Sequence, residues 1–370
     1  MSEYLVEEMQ HSKGAKIKVI GCGGGGGNMI NHMVKMGLND LDLIAANTDA
    51  QAISNSLAKT KIQLGEKKTK GLGAGMLPEV GAESARESFE EIKTSLSQSD
   101  IVFIASGFGG GTGTGATPVI AQAAKEIGAL TVSVVTMPFK FEGKQRKKLA
   151  ESGLLELKKE SDSILVIQNE KLLSIADKKI GIKDAFKLVD DILARAVKGM
   201  VSILLDNGDI NVDFADVRTI MSHRGLALMG VGSAQGENAV EEALANAIES
   251  PLLDGMDIKG AKGVILHFRT SSNCSLIEIS AAASSIEEIV DENAKIIFGT
   301  TTDDNMEDRV EVTIIATGFE DKTYTNNTNK INEENAPKKN SYIIRKASGG
   351  YDEEMINALE TPTFLRRQMD

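Results

Sequence analysis

The first half of the chain alternates short apolar runs with longer amphipathic stretches. Residues 17–20, 41–46, 101–105, 130–136 and 164–167 are uninterrupted or nearly uninterrupted apolar runs and predict buried strands. Between them, 28–36, 78–96, 117–127 and 143–159 carry the spacing of helices. Strands and helices in alternation imply an α/β fold, a parallel sheet covered on both faces. Ligands of such sheets bind beyond the carboxyl ends of the strands, which is where this chain concentrates its glycines.

The second half begins with a single long helical pattern over 183–205, with Phe186, Val189, Ile192, Leu193, Ala196, Val197, Met200, Ile203 and Leu204 as its apolar positions. About 23 residues of helix span about 35 Å. Apolar positions on more than one face predict burial between two domains, and Asp206-Asn207-Gly208-Asp209 supplies a stop signal. Helices are then expected near 215–221 and 237–248, strands at 263–268, 276–279, 294–298 and 310–316, and a helix at 286–292. This reads as a smaller α+β domain ending near Gly318. From 320 onward Asn, Lys, Glu and Thr dominate and periodicity disappears, the composition of a disordered linker. Apolar content returns in Pro362, Phe364 and Leu365, followed by Arg366 and Arg367, which reads as a docking peptide. The expected organisation is a flexible N-terminus over 1–13, a nucleotide-binding domain over 14–182 and the central helix over 183–206. The α+β domain follows over 207–319, the linker over 320–357 and the terminal peptide over 358–370.

Composition narrows the classes. The chain has 370 residues and a net charge of −12, a balance that argues against a general nucleic-acid binder. No stretch of about 18 uncharged apolar residues predicts a membrane span, and the acidic start has no secretory pattern. Cys22 and Cys274 are too few and too far apart for a disulfide framework, which fits a reducing cytoplasm. His11, His32, His223 and His267 show no ligand spacing, so no protein-held metal is expected.

The candidate chemistry lies in three glycine-rich turns. Gly107-Phe108-Gly109-Gly110-Gly111-Thr112-Gly113-Thr114-Gly115 follows the run 101–105 directly and precedes good helix formers. Without Cβ atoms the backbone can approach an anion closely and aim successive N–H groups at it. A helix N-terminus adds orphan donors and a favourable dipole. Gly21-Cys22-Gly23-Gly24-Gly25-Gly26-Gly27-Asn28 follows the run 17–20 and contains G-x-G-x-x-G. That pattern alone leaves a nicotinamide-dependent oxidoreductase open. Lys70-Gly71-Leu72-Gly73-Ala74-Gly75 is the third. Three such loops favour a polyphosphate over a dinucleotide. There is no G-x4-G-K-[ST] pattern, so the phosphate charge falls to backbone donors, helix dipoles and a bound cation, with magnesium the expected ion for a triphosphate.

Together with Asn47–Gln51, Pro138-Phe139-x-Phe141-Glu142-Gly143 and Asn211-Val212-Asp213-Phe214-Ala215-Asp216-Val217-Arg218, these loops make the chain resemble the FtsZ family of tubulin-like division GTPases over about residues 14–319. The resemblance implies a Rossmann-like GTPase domain joined by a long helix to a smaller domain, and GTP/GDP as ligand. It assigns Gly24, Gly25, Gly26, Gly27, Asn28, Gly110, Gly111, Thr112 and Gly113 to the phosphates. Gly73, Ala74 and Gly75 fall on the γ-phosphate side, and Glu142 and Arg146 near the ribose. Read on their own, Glu142 and Arg146 are an i,i+4 surface pair. Phe186, Asp190 and Asn169 match the base site: an aromatic face stacks on a purine, and a carboxylate one turn on accepts from guanine N1–H and its 2-amino group. Asp213, Asp216 and Asn211 match the loop that completes a neighbour's site and orients the attacking water. Their bland reading is helix capping. The family's terminal peptide, matched by Phe364, Leu365, Arg366 and Arg367, implies membrane-tethering and regulatory partners at a midcell division site. His223 and Arg224 depart from many relatives and bear on the contact between subunits. A nucleotide-binding scaffold without useful turnover is the alternative of a different class.

Overall fold

The computed structural model describes residues 15–38, 41–175, 180–205, 213–222, 225–250, 253 and 258–319. The first half runs β1 (Ile17–Cys22), α1 (Gly23–Lys35), β2 (Asp42–Asn47), α2 (Ala50–Ser54), β3 (Thr60–Gln63), α3 (Glu66–Thr69), α4 (Pro78–Glu87) and α5 (Phe89–Leu96). It continues through β4 (Ile101–Gly107), α6 (Thr112–Glu126), β5 (Leu130–Met137), α7 (Lys144–Glu160), β6 (Ser163–Gln168) and α8 (Asn169–Ile175). Then come α9 (Ile182–Leu205), α10 (Phe214–Met221), β7 (Gly225–Gln235), α11 (Ala239–Ile248), β8 (Gly263–Thr270), α12 (Leu276–Glu287), β9 (Lys295–Thr302) and β10 (Arg309–Thr317).

Among the described residues, ten strands join one sheet in the order β3-β2-β1-β4-β5-β6-β7-β10-β8-β9. Strands β1 to β7 pair in parallel, whereas β10 is antiparallel to both β7 and β8. The run 3-2-1-4-5-6 is that of a doubly wound dinucleotide fold, whose switch point lies between β1 and β4. The two glycine loops that follow β1 and β4 therefore open onto one crevice.

Three local expectations change. The run 276–279 is the first turn of α12 rather than a strand. Its buried positions, Ile279, Ala282 and Ile286, recur at helical spacing, and the Ala-rich continuation favours helix. The helix expected at 286–292 is only the end of α12, which stops at Glu287. The stretch 78–96 is broken into α4 and α5 at Ser88 (φ −96°, ψ 17°). Strand β3 has a single buried side chain, Ile62, too weak a pattern to read from sequence.

Strand β7 escapes the sequence pattern because Gly225, Gly230 and Gly232 interrupt it. Two of these glycines are packing devices. A Cβ at Gly230 would overlap the Ala247 carbonyl oxygen, and one at Gly232 that of Ala243, so α11 lies directly on the strand backbone. The first three residues of β7 pair with β6, and Leu228–Gln235 pair with β10. Helix α9, 24 residues long, lies across this join. Its Leu193, Val197 and Met200 share one core with Phe103 and Val132 on one side and Met229, Ile265 and Ile315 on the other. The stop signal expected at 206–209 lies outside the described residues.

Candidate functional site

A cleft of about 410 Å³ opens at the carboxyl ends of β1, β4 and β5. Helix α1 begins within its own glycine loop, at Gly23, and α6 begins at Thr112. Both starts are earlier than the sequence pattern predicts. Glycine is a poor helix former, and close packing overrides that preference. Gly26 is buried, and a Cβ there would overlap the Ala105 carbonyl oxygen. A Cβ at Gly23 would come within 2.9 Å of the Gly113 nitrogen, and one at Gly25 within 3.2 Å of Gly107. The two loops thus lie back to back, and only residues without side chains allow it.

Hydroxyls fix the loops from behind. Thr48 Oγ1 and Thr112 Oγ1 are 2.6 Å apart, and Thr114 Oγ1 accepts the Gly109 N–H at 2.9 Å. Thr117 Oγ1 donates to the Gly113 carbonyl at 2.6 Å, and Ser106 Oγ to the Cys22 carbonyl at 3.2 Å. The Cys22 thiol beneath them is pushed up to about 12 by burial, which keeps it neutral. Gly24, Gly25, Asn28, Gly110, Gly111, Thr112 and Gly113 line the cleft. Gly26 and Gly27 do not: the first packs inward, and a Cβ added to the second would meet no protein atom within 4 Å.

The third loop is held by Ala50 N–H to Gly71 O at 3.1 Å and Gly73 N–H to Thr48 O at 3.3 Å. Gly71, Gly73 and Gly75 have φ of 76°, 84° and 55°, the left-handed region that glycine tolerates. A Cβ at Gly111 would lie 2.8 Å from the Ala74 Cβ. Ala74 therefore stands against the 107–115 loop, and Gly73, Ala74 and Gly75 lie beside the cleft rather than in its lining.

The opposite end of the cleft is built from side chains. Arg146 donates to Glu142 at 2.7 Å, and the other Glu142 oxygen accepts the Phe139 N–H at 2.9 Å. The i,i+4 pair is real, and both residues also line the cleft. Asn169 is 5 % exposed and its Oδ1 has no hydrogen-bond partner. Asp190, half-buried on α9, has its carboxyl raised from 3.8 to about 6 by burial, with the nearby His32 opposing the rise. A bare buried acceptor and a poorly solvated carboxylate in one wall suit a ligand that brings donors, as guanine does. Gly107, Phe108, Thr136, Pro138, Val189 and Leu193 complete the lining, and none of them is assigned to a ligand from the sequence. Val189 and Leu193 are legible as helical neighbours of Phe186 and Asp190, three positions beyond each.

Asp213 is the N-cap of α10, with φ −69°, ψ 139° and a side-chain oxygen 3.2 Å from the Ala215 nitrogen. Asp216 is exposed in the first turn of α10. Neither lines the cleft of its own chain. Asn211, His223, Arg224 and the peptide bearing Phe364, Leu365, Arg366 and Arg367 lie outside the described residues. Among the described residues, no group of three or more His, Cys, Asp or Glu comes together as a metal site, and no helix is long and apolar enough to cross a membrane.

A doubly wound sheet with paired glycine loops at its switch point defines a nucleotide-binding protein, and residues 16–177 match the GTPase domain of the Tubulin/FtsZ family. Residues 225–320 match the C-terminal domain of the FtsZ family. An empty FtsZ dimer from M. jannaschii is 46% identical, with a TM-score of 0.79, over 83% of this chain and 89% of that one. A mutant FtsZ from M. jannaschii is 46% identical, with a TM-score of 0.78, over 83% and 92%. The chain belongs to the FtsZ family. A GTPγS-bound protofilament of CetZ2 from Haloferax volcanii, 18% identical over 86% of this chain and 98% of that one with a TM-score of 0.72, shares the fold.

Proposed function

We propose that the protein polymerises head-to-tail in the presence of GTP, in filaments that form the bacterial division ring. It hydrolyses GTP to GDP and phosphate at the junction between subunits. The cleft holds GTP, with its phosphates on Gly24, Gly25, Asn28 and Gly110–Gly113, its ribose near Glu142 and Arg146, and its guanine between Phe186, Asn169 and Asp190. Gly73, Ala74 and Gly75 close the γ-phosphate side. Asp213 and Asp216, with Asn211, arrive from the next subunit and orient the attacking water.

The observation that carries this reading is the distribution of carboxylates. Among the described residues, the only ones lining the cleft are Glu142 and Asp190, both at the end opposite the glycine loops. The phosphate end thus has donors to hold charge and no acid to align water. Phosphoryl transfer depends mostly on positioning and charge stabilisation, so an unaccompanied subunit would bind GTP and turn it over poorly. Magnesium would be held chiefly by phosphate oxygens and water, since the described residues provide no cage. The terminal peptide would dock on membrane-tethering and regulatory proteins through Phe364 and Leu365, with Arg366 and Arg367 steering the encounter. The protein would act in the cytoplasm at midcell, with no contact to nucleic acid and no insertion of its own into the membrane.

Mixing two inactive variants tests the shared site. Gly24→Ala disables nucleotide binding and Asp213→Ala together with Asp216→Ala removes the acids. Each alone should release little phosphate, and their mixture should recover a substantial fraction of wild-type activity. A mixture as inactive as its parts, or a wild-type specific activity independent of dilution, rules out completion in trans.

A further inference from the structure

Three phenylalanines meet at the rim of the cleft. Phe139 is 1 % exposed, and Phe141 stacks on it with ring centroids 5.0 Å apart and an interplanar angle of 14°. Phe186 stands perpendicular to both, at 88°, with centroids 5.3 Å from Phe139 and 6.4 Å from Phe141. Phe186 lines the cleft, whereas Phe139 and Phe141 do not. Phe186 itself is 39 % exposed and sits in the second turn of α9, where Ile182, Lys183 and Asp184 are also exposed. The parallel pair is the aromatic support for its ring. Perpendicular aromatic contacts of this kind are favourable because a ring's positive edge meets a negative face.

Phe141 is 59 % exposed, an unusual place for a phenyl ring with no share in the core. Its backbone is nevertheless tightly fixed. It lies in a 3-10 turn, Lys140–Glu142, whose ends are pinned from two directions. Glu142 accepts the Phe139 N–H at 2.9 Å. Glu170 accepts the Lys140 N–H at 3.0 Å and pairs with the Lys140 ammonium at 3.3 Å. Glu170 directly follows Asn169, so the turn ties the Asn169 wall to the Phe186 wall.

We propose that Phe141 is a positioning residue for base recognition: with Phe139 it forms a stacked bracket beside Phe186 and presents that ring to the purine. The inference rests on the reading that the base stacks on Phe186. Without the bracket, Phe186 would lose its preferred rotamer and have to be ordered by the ligand, which lowers affinity without removing any direct contact. Phe141 does not line the cleft, so its effect must pass through Phe186.

Calorimetric titration of the full chain with GDP, at concentrations too low for assembly, tests this with a double-mutant cycle. Phe141→Ala should weaken GDP binding about three- to tenfold, and Phe141→Tyr, which keeps the ring, should bind like wild type. Phe186→Ala should weaken it more, and adding Phe141→Ala to that variant should change little further. The unfolding temperature of Phe141→Tyr should match wild type, and that of Phe141→Ala should fall only slightly, by the two ring contacts it removes. An unchanged affinity in Phe141→Ala overturns the proposal, and so does an equal loss with or without Phe186. Wild-type affinity in Phe186→Ala overturns it too, and by that separate signature also removes the stacking reading beneath it.

Discussion

Asp190→Asn separates what a half-buried carboxylate costs the fold from what it recognises. In the free protein, burial raises its carboxyl from 3.8 to about 6, because the cleft wall replaces water that would stabilise the charge. A raised value in the folded state means that the folded chain binds this proton more tightly than the unfolded chain does. Its favourable contribution is therefore present below about pH 4 and lost as pH rises through about 6. The difference corresponds to about 3 kcal/mol. Part of the carboxyl remains in water, so about 1–2 kcal/mol is the working figure. Asparagine carries no charge to bury. Nucleotide-free Asp190→Asn should unfold about 2–3 °C above wild type at pH 7.5, with the gain shrinking as pH falls through about 6.

Binding should move the other way. The proposed carboxylate accepts two N–H groups of guanine, and a hydrogen bond to a charged group contributes about 1.5–3 kcal/mol. Asparagine offers one acceptor and sets an N–H against the 2-amino group, so GDP affinity should fall about 10- to 100-fold. Xanthine carries a carbonyl where guanine carries that amine, and it should bind the variant better than guanine does. In the wild type, GDP affinity should decline as pH drops below about 6, and the decline should be absent from the variant. Thermal unfolding without nucleotide, with calorimetric titration of GDP and XDP across pH 5.8–8, reads all of this. A variant that binds GDP like wild type would refute Asp190 as the base reader, whatever its stability.

Two neighbouring glycines should fail in different ways. Gly24→Ala meets no protein atom within 4 Å, so it should keep its unfolding temperature and lose at least tenfold in GDP affinity as the methyl takes phosphate space. Gly26→Ala puts its methyl into the Ala105 carbonyl and should lose about 1–3 kcal/mol of stability in chemical denaturation; a stable, nucleotide-blind Gly26→Ala would contradict the packing account. Asp213→Asn retains the cap acceptor whereas Asp213→Ala loses about 1 kcal/mol with it. Both should bind GTP and release almost no phosphate, and an active Asp213→Asn would mean that the cap is all this acid does. In β7, Gly232→Ala drives a methyl into the Ala243 carbonyl of α11 and should lower the unfolding temperature by several degrees.

The strands of the nucleotide half are legible because parallel strands are buried on both faces and read as continuous apolar runs. Ile101–Gly107, with six buried residues in succession, is the clearest case. Strand β7 obeys a different rule. Its Gly230 and Gly232 are placed for α11, which follows later in the chain, and nothing local distinguishes such glycines from those of a turn. The run at 276–279 misleads for the complementary reason. Four residues fit either period, and only the later alanines and Ile286 show which period continues.

The same distinction divides the cleft. Its proposed phosphate end is a backbone site, so most of the residues that make it lack side chains, and they lie in runs next to the strands that aim them. Such a site can be read from a few consecutive letters. The proposed base end is assembled from 139–146, 169 and 186–193, which meet only because β5, β6 and α9 converge there. No periodicity in any one segment announces Asn169 as a bare acceptor or Phe141 as a brace. Asp190 alone looks like an ordinary acid on an amphipathic helix, and Phe186 like a core position. Their meaning comes from the burial that raises the acid and from the two rings that hold the phenylalanine. On the proposed placement of the nucleotide, specificity is therefore encoded by tertiary convergence, whereas anion binding is encoded locally. Substitutions at the base end should accordingly alter which nucleotide binds before they alter whether the chain folds.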